Sequence, residues 1–243
     1  MKLFFAGTGG GYAHYRRTSC VLFETPKTIF LFDAGSGLDS LPAGFNKGKR
    51  IVIAISCGEL DQTIGLKALA SLVKPEDVTI FAVKNDFEEI LNKKLLGEAF
   101  HFLKQVNFIP VTPGESYKDE NEFVYKTEKT SEDSVGYRLE IFGANIAYCN
   151  NCKVSEGAKK LSKNATVLIH DTYYLDEEFK EESLNASAKQ AAELAKDQGV
   201  ENFFCYHYKP DYDAVKLKEL LEEAKTAFGE KAFLATDGLR AEF

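Results

Sequence analysis

Six consecutive residues hold the densest set of groups able to do chemistry: Cys57-Gly58-Glu59-Leu60-Asp61-Gln62, directly after the apolar run Ile51-Val52-Ile53-Ala54-Ile55-Ser56. A thiol, two carboxylates and an amide at the end of a strand-like run are metal-ligand types or polar binding groups. His207 ends a second apolar run, Phe203-Phe204-Cys205-Tyr206. Cys149 and Cys152 end a third run with a Cys-x-x-Cys spacing, which suits a soft metal ion or a thiol pair. Those cysteines equally suit the role of small buried apolar side chains on strand ends. His14 and Arg16 lie in an irregular stretch, Tyr12-Ala13-His14-Tyr15-Arg16-Arg17, where Arg16 or Arg17 offers a cation to an anionic ligand. His170 closes the apolar strand Val167-Leu168-Ile169 ahead of Asp171, a place for packing or for support of a ligand. His101, between Phe100 and Phe102, reads as a packing or surface histidine on a helix.

Such groups act together only if a scaffold gathers strand ends. Strands are expected near residues 3–6, 19–24, 28–33, 50–56, 78–83, 106–111, 122–126, 135–142, 144–148, 167–171 and 203–207. Helices are expected near 65–73, 87–96, 186–198 and 213–228, with Gly199 stopping the third and Asp211 or Asp213 capping the last. Gly7-Thr8-Gly9-Gly10-Gly11 follows a strand but opens no helix, so it is not read as a dinucleotide-binding turn. Asp33 reads as a turn cap or as part of a cleft floor. The strands form two groups, each followed by helices, with no linker between them. The expected architecture is α/β, one domain over residues 1–243, with two sheets packed face to face and helices outside.

Composition narrows the function. With 243 residues and 44% of them hydrophobic, the chain can bury a large core. A net charge of −7 disfavours general nucleic-acid binding, and Lys47, Lys49 and Arg50 read as a solvated loop. No apolar stretch is long enough to cross a bilayer, and the N-terminus reads as a first strand, so a cytoplasmic protein with no membrane contact is expected. Five cysteines, an odd number, argue against a disulfide framework.

Several segments, in order, carry a family resemblance: Phe5-Ala6-Gly7-Thr8-Gly9-Gly10-Gly11, Leu31-Phe32-Asp33-Ala34-Gly35-Ser36-Gly37-Leu38, the Cys57–Gln62 loop, Gly136-Tyr137-Arg138-Leu139, Leu168-Ile169-His170-Asp171-Thr172 and Thr236-Asp237-Gly238-Leu239. The chain resembles the metallo-β-lactamase-fold superfamily, and within it the ribonuclease Z and phosphodiesterase-like branch. The resemblance implies a four-layer αββα sandwich. It also implies two zinc ions sharing one aspartate and polarising a bridging hydroxide.

Carried over position by position, the resemblance places Cys57, Glu59, Asp61 and Gln62 where relatives have His-x-His-x-Asp-His. The bridging aspartate falls on Asn151, a last histidine ligand on His207, and a histidine that meets the scissile phosphate on Asn185. Near Thr130 or Ser131 a further histidine is replaced. Only Asp61 and His207 are unchanged, so the metal-binding motif is degenerate. The Glu59-Leu60-Asp61 spacing is also similar to that of the flavodiiron branch, whose other ligands and flavodoxin domain this sequence lacks. Relatives that mature tRNA insert a long arm where residues 173–185 are short and acidic, which disfavours that substrate.

The reading that follows is a family member that lacks dinuclear zinc hydrolysis and binds a small molecule or a protein partner in the remnant cleft, with no cofactor. A second reading is a metal-dependent hydrolase or phosphodiesterase using a single zinc or iron ion. Its metal would be held by residues among Cys57, Glu59, Asp61, His207, Asn151 and Cys152, with Asp61 and His207 catalytic. A third is a thiol-based redox or iron protein centred on Cys57, Cys149 and Cys152. In the first two readings Gln62, His14, Arg16, His170 and Asn185 would contact the ligand. Whether the protein forms a homodimer is left open.

Overall fold

The computed structural model describes residues 2–12, 15–92, 99–119 and 123–242. His14 therefore lies outside the described residues, as do the end of the helix expected at 87–96 and the start of the strand expected at 122–126. Contacts gather the chain into two compact units, residues 1–111 with 236–243, and residues 112–235.

The first unit carries β1 (Lys2–Gly7), β2 (Cys20–Glu24), β3 (Thr28–Phe32), β4 (Arg50–Ala54), β5 (Val78–Ala82) and β6 (Asn107–Pro110). Its helices are α1 (Leu60–Thr63), α2 (Leu66–Leu72), α3 (Lys84–Asn92) and α4 (Ala99–Leu103), and β14 (Arg240–Glu242) returns to the sheet edge. The strand order is β14-β1-β2-β3-β4-β5-β6. The β14-to-β3 half is antiparallel and the β3-to-β6 half parallel. In β4, Ile51, Val52, Ile53 and Ala54 are all buried, the signature of a parallel strand covered on both faces.

The second unit repeats that plan. It contains β7 (Ser116–Lys118), β8 (Val124–Lys129), β9 (Val135–Ile141), β10 (Ala144–Cys149), β11 (Val167–Asp171), β12 (Asn202–Tyr206) and β13 (Ala232–Leu234). The order is β13-β12-β11-β10-β9-β8-β7, parallel from β13 to β10 and antiparallel from β10 to β7. Its helices are α5 (Glu156–Ser162), α6 (Ala188–Asp197) and α7 (Ala214–Phe228). Ser187 starts α6 with a capping box: its hydroxyl accepts from Gln190 N, and the Gln190 side chain accepts from Ser187 N. Asp213, not Asp211, caps α7 by accepting from Val215 N and Lys216 N.

Each unit has its own apolar core. In the first, Leu22, Leu31, Ile51, Ile53, Leu66, Leu69 and Ile90 pack together. In the second, Leu168, Phe203 and Cys205 of the sheet meet Ala191, Ala195, Leu217 and Leu220 of α6 and α7. The expected strands and long helices are present. Sequence reading missed α1, α5 and the three-residue strands β7, β13 and β14, which are too short to display a period.

Candidate functional site

In both units the polar groups of interest stand just past the carboxyl ends of parallel strands, the usual ligand side of such sheets. Three of those ends are bent into the left-handed backbone region. Asp33 after β3 has φ 57°, Asn151 after β10 has φ 49°, and His207 after β12 has φ 62°. Asp, Asn and His are the non-glycine residues most often found there.

In the first unit, β4 runs on into Ile55, whose N–H donates to the Phe81 carbonyl at 2.9 Å. Ser56 is then clamped to the buried Asp33: its N–H donates to Oδ1 at 2.7 Å and its hydroxyl to Oδ2 at 2.8 Å. That clamp fixes the direction in which Cys57 leaves the strand. Cys57 is buried, and its Sγ donates to Gln62 Oε1 at 3.4 Å. Gln62 in turn donates from Nε2 to Asp61 Oδ2 at 3.0 Å, and Gly11 N donates to the same oxygen at 2.8 Å. Glu59 stands apart as an exposed residue at the start of α1, its carbonyl accepting from the Thr63 hydroxyl. The loop is held tight by backbone contact: a Cβ on Gly35 would sit 2.2 Å from the Asp61 carbonyl oxygen, and one on Gly65 would sit 2.1 Å from that of Gly35.

The second unit builds a larger network around Asp171, which is fully buried at the end of β11. Its Oδ2 accepts from Cys152 N at 3.2 Å, Asn185 Nδ2 at 2.5 Å and His207 Nδ1 at 3.1 Å. Its Oδ1 accepts from Tyr173 N at 3.0 Å. Asn185 Nδ2 also donates to Asn151 Oδ1 at 3.2 Å. The Tyr173 ring lies 5.8 Å from that of His207. Thus Asn151, Cys152, Asn185 and His207, all expected site residues, are brought together, and Asp171 is the hub that sequence reading did not assign. A signal was present: a run of buried apolar residues, Val167-Leu168-Ile169, ends in two polar groups.

His170 faces elsewhere. Its register partners are Cys149 on β10 and Cys205 on β12, and all three are fully buried. Alternation along the strand puts His170 on the same side as Leu168, which belongs to the core packed against α6 and α7. Its Nδ1 lies 2.8 Å from the Asp171 carbonyl oxygen, which can only accept, so Nδ1 carries the proton. Nε2 is buried without a hydrogen-bond partner, and burial pushes the imidazole pKa below its ordinary value.

None of the five cysteines forms a disulfide, and all are buried. Burial pushes the Cys149 thiol up to about 12 and raises those of Cys20 and Cys205 as well. A raised thiol pKa leaves these three cysteines protonated and poorly nucleophilic as they stand.

The donor set can be tested against the metal ions of the fold. Among the described residues, no group of three or more His, Cys, Asp or Glu side chains is placed to hold one. The two carboxylates best situated for the task, Asp61 and Asp171, are engaged by N–H donors of the protein. The residues as arranged do not fit a metal centre.

A family model described as the beta-lactamase superfamily domain matches residues 28–208. The chain belongs to this family. Within the beta-lactamase superfamily, Ribonuclease Z of Methanosarcina mazei is 24% identical to this chain, and the alignment covers 100% of the chain and 98% of that protein. Ribonuclease Z of Thermoplasma volcanium is 35% identical over 126 residues, covering 50% of this chain and 40% of that protein's length. In three dimensions, the metallo-beta-lactamase fold protein YhfI from Bacillus subtilis matches 99% of each chain with a TM-score of 0.81 at 19% identity. The two mixed sheets with their helices are the metallo-β-lactamase fold. No helix among the described residues is long and apolar enough to cross a membrane.

Proposed function

We propose that this chain is a superfamily member in which protein hydrogen bonds have replaced the dinuclear metal centre, and that it binds a ligand or a partner rather than hydrolysing a phosphodiester. One observation carries the reading: Asp171 accepts four N–H donors, and Asp61 accepts two. A metal ion at either carboxylate would compete with these bonds, and the surrounding amides, Gln62, Asn151 and Asn185, are weak neutral ligands. The reading treats residues 1–243 as one functional domain.

The second reading is hydrolysis at a single zinc or iron ion held by Cys57, Glu59, Asp61 and His207. Family membership favours it, as do the relatives named Ribonuclease Z, a name that brings RNA in as a candidate substrate. Against RNA stands the net charge of −7.

The two readings separate on metal content. Protein purified without added metal is expected to contain far less than one zinc or iron per chain, to gain none after incubation with either, and to leave bis(p-nitrophenyl) phosphate intact. One tightly held ion per chain, lost together with phosphodiester turnover in Asp61→Ala or His207→Ala, would establish the hydrolase instead.

A further inference from the structure

We propose that the Asn185 end of the second unit recognises a small ligand that donates N–H hydrogen bonds and bears no negative charge, an amine or a carboxamide, through the Asn185 side-chain carbonyl. The proposal rests on the ligand-binding reading and deepens it by naming the ligand's chemistry.

Asn185 is only 9% exposed, and the direction of its amide is fixed. Its Nδ2 lies 2.5 Å from an Asp171 carboxylate oxygen and 3.2 Å from Asn151 Oδ1. The carboxylate only accepts, so the NH₂ group faces it and Oδ1 points away. Both bonds formed by the Asn185 side chain use Nδ2, and its Oδ1 has no hydrogen-bond partner among the described residues. A carbonyl that no protein donor fills, on a side chain otherwise held in place, is a ready acceptor for a donor from outside.

Charge selects among donors. Residues 176–182 carry Asp176, Glu177, Glu178, Glu181 and Glu182, of which Asp176 pairs with Lys189, Glu178 with Lys209 and Glu177 with Lys216. Lys153 donates from Nζ to the Glu181 carbonyl at 2.7 Å. An anion approaching Asn185 Oδ1 would face the negative end of a carbonyl dipole. An ammonium or a neutral amide would be attracted or admitted. Leu184, 76% exposed beside Asn185, supplies apolar surface for the rest of such a molecule.

The test is a titration of the full chain, followed by ¹H–¹⁵N spectra, with putrescine, benzamide and inorganic phosphate in separate samples. Saturable shifts of the Asn185 side-chain NH₂ signals are expected with putrescine or benzamide and not with phosphate. Saturation by putrescine alone assigns the ligand as an amine, and by benzamide alone as a carboxamide. Asn185→Ala is expected to weaken binding of the active probe by about tenfold. The wild-type Asn185 signals serve even if that variant does not fold. Saturation by phosphate, silence toward both N–H probes, or unchanged affinity in a folded Asn185→Ala variant would overturn the proposal. Stoichiometric metal in the same sample would overturn the underlying reading. Metal-free protein that ignores both N–H probes would sink this proposal alone.

Discussion

The two units answer the same structural question in different ways. In the first, Cys57, Asp61 and Gln62 bond to one another within six residues of chain, and Gly11 N also donates to Asp61. In the second, Asp171 gathers donors from Cys152, Tyr173, Asn185 and His207, which arrive from separate strand ends and connections. A local clamp braces one turn. A hub ties several strand ends together, so its loss propagates further.

The largest effect should come from removing that hub. Asp171→Ala leaves several donors without an acceptor in a fully buried place, at about 1–3 kcal/mol for each one left unsatisfied. Denaturant unfolding should show a loss of roughly 3 kcal/mol or more, or no folded protein, whereas Asp61→Ala should cost about 1 kcal/mol. Equal losses at the two aspartates would erase the contrast between hub and clamp.

A second experiment probes how tightly the first unit's loop is built. Gly35→Ala pushes a methyl group against the Asp61 carbonyl and should destabilise by about 1–3 kcal/mol, read as a lower urea midpoint. A neutral outcome would mean that the loop yields easily. A smaller effect, about 1 kcal/mol, is expected for Ser187→Ala, which opens the capping box of α6 next to Asn185. Thermal unfolding would register it as a drop of a few degrees, and an unchanged midpoint would refute the cap's role.

The mildest effect is a pH slope confined to the second unit. Burial lowers the His170 pKa in the folded protein, so the unfolded chain takes up the proton first, near 6.5. The associated stability is complete above that value and declines as pH falls through it toward the folded-state pKa. Urea midpoints measured at pH 7.5 and 5.5 should differ by less in His170→Gln than in the wild type. An unaltered slope would assign the acid sensitivity to other groups.

How far the sequence could be read follows the same division. The Cys57–Gln62 loop was legible because its partners are neighbours in the chain and follow an apolar strand. The β10–β12 strands were legible too, and so was the grouping of Asn151, Asn185 and His207 through family resemblance. Asp171 was not assigned, because three of its four partners are 14 to 36 residues away and no local pattern announces them. His170 was read both as a packing residue and as a ligand contact, and no local pattern chose between them. Adjacent polar residues on a strand point to opposite faces, and only the register with Cys149 and Cys205 says which face is the core.

The bent ends of β3, β10 and β12 carry one more implication. A backbone with positive φ admits few side chains comfortably, and aspartate, asparagine and histidine are among them. The histidine at 207 and the asparagine at 151 therefore satisfy a conformational demand whatever else they do. Keeping a histidine at such a corner is weak testimony for a retained catalyst, and exchanging an acid for its amide there leaves the bend undisturbed. Such corners stay folded whichever of these side chains occupies them, so the fold by itself does not testify to the reaction.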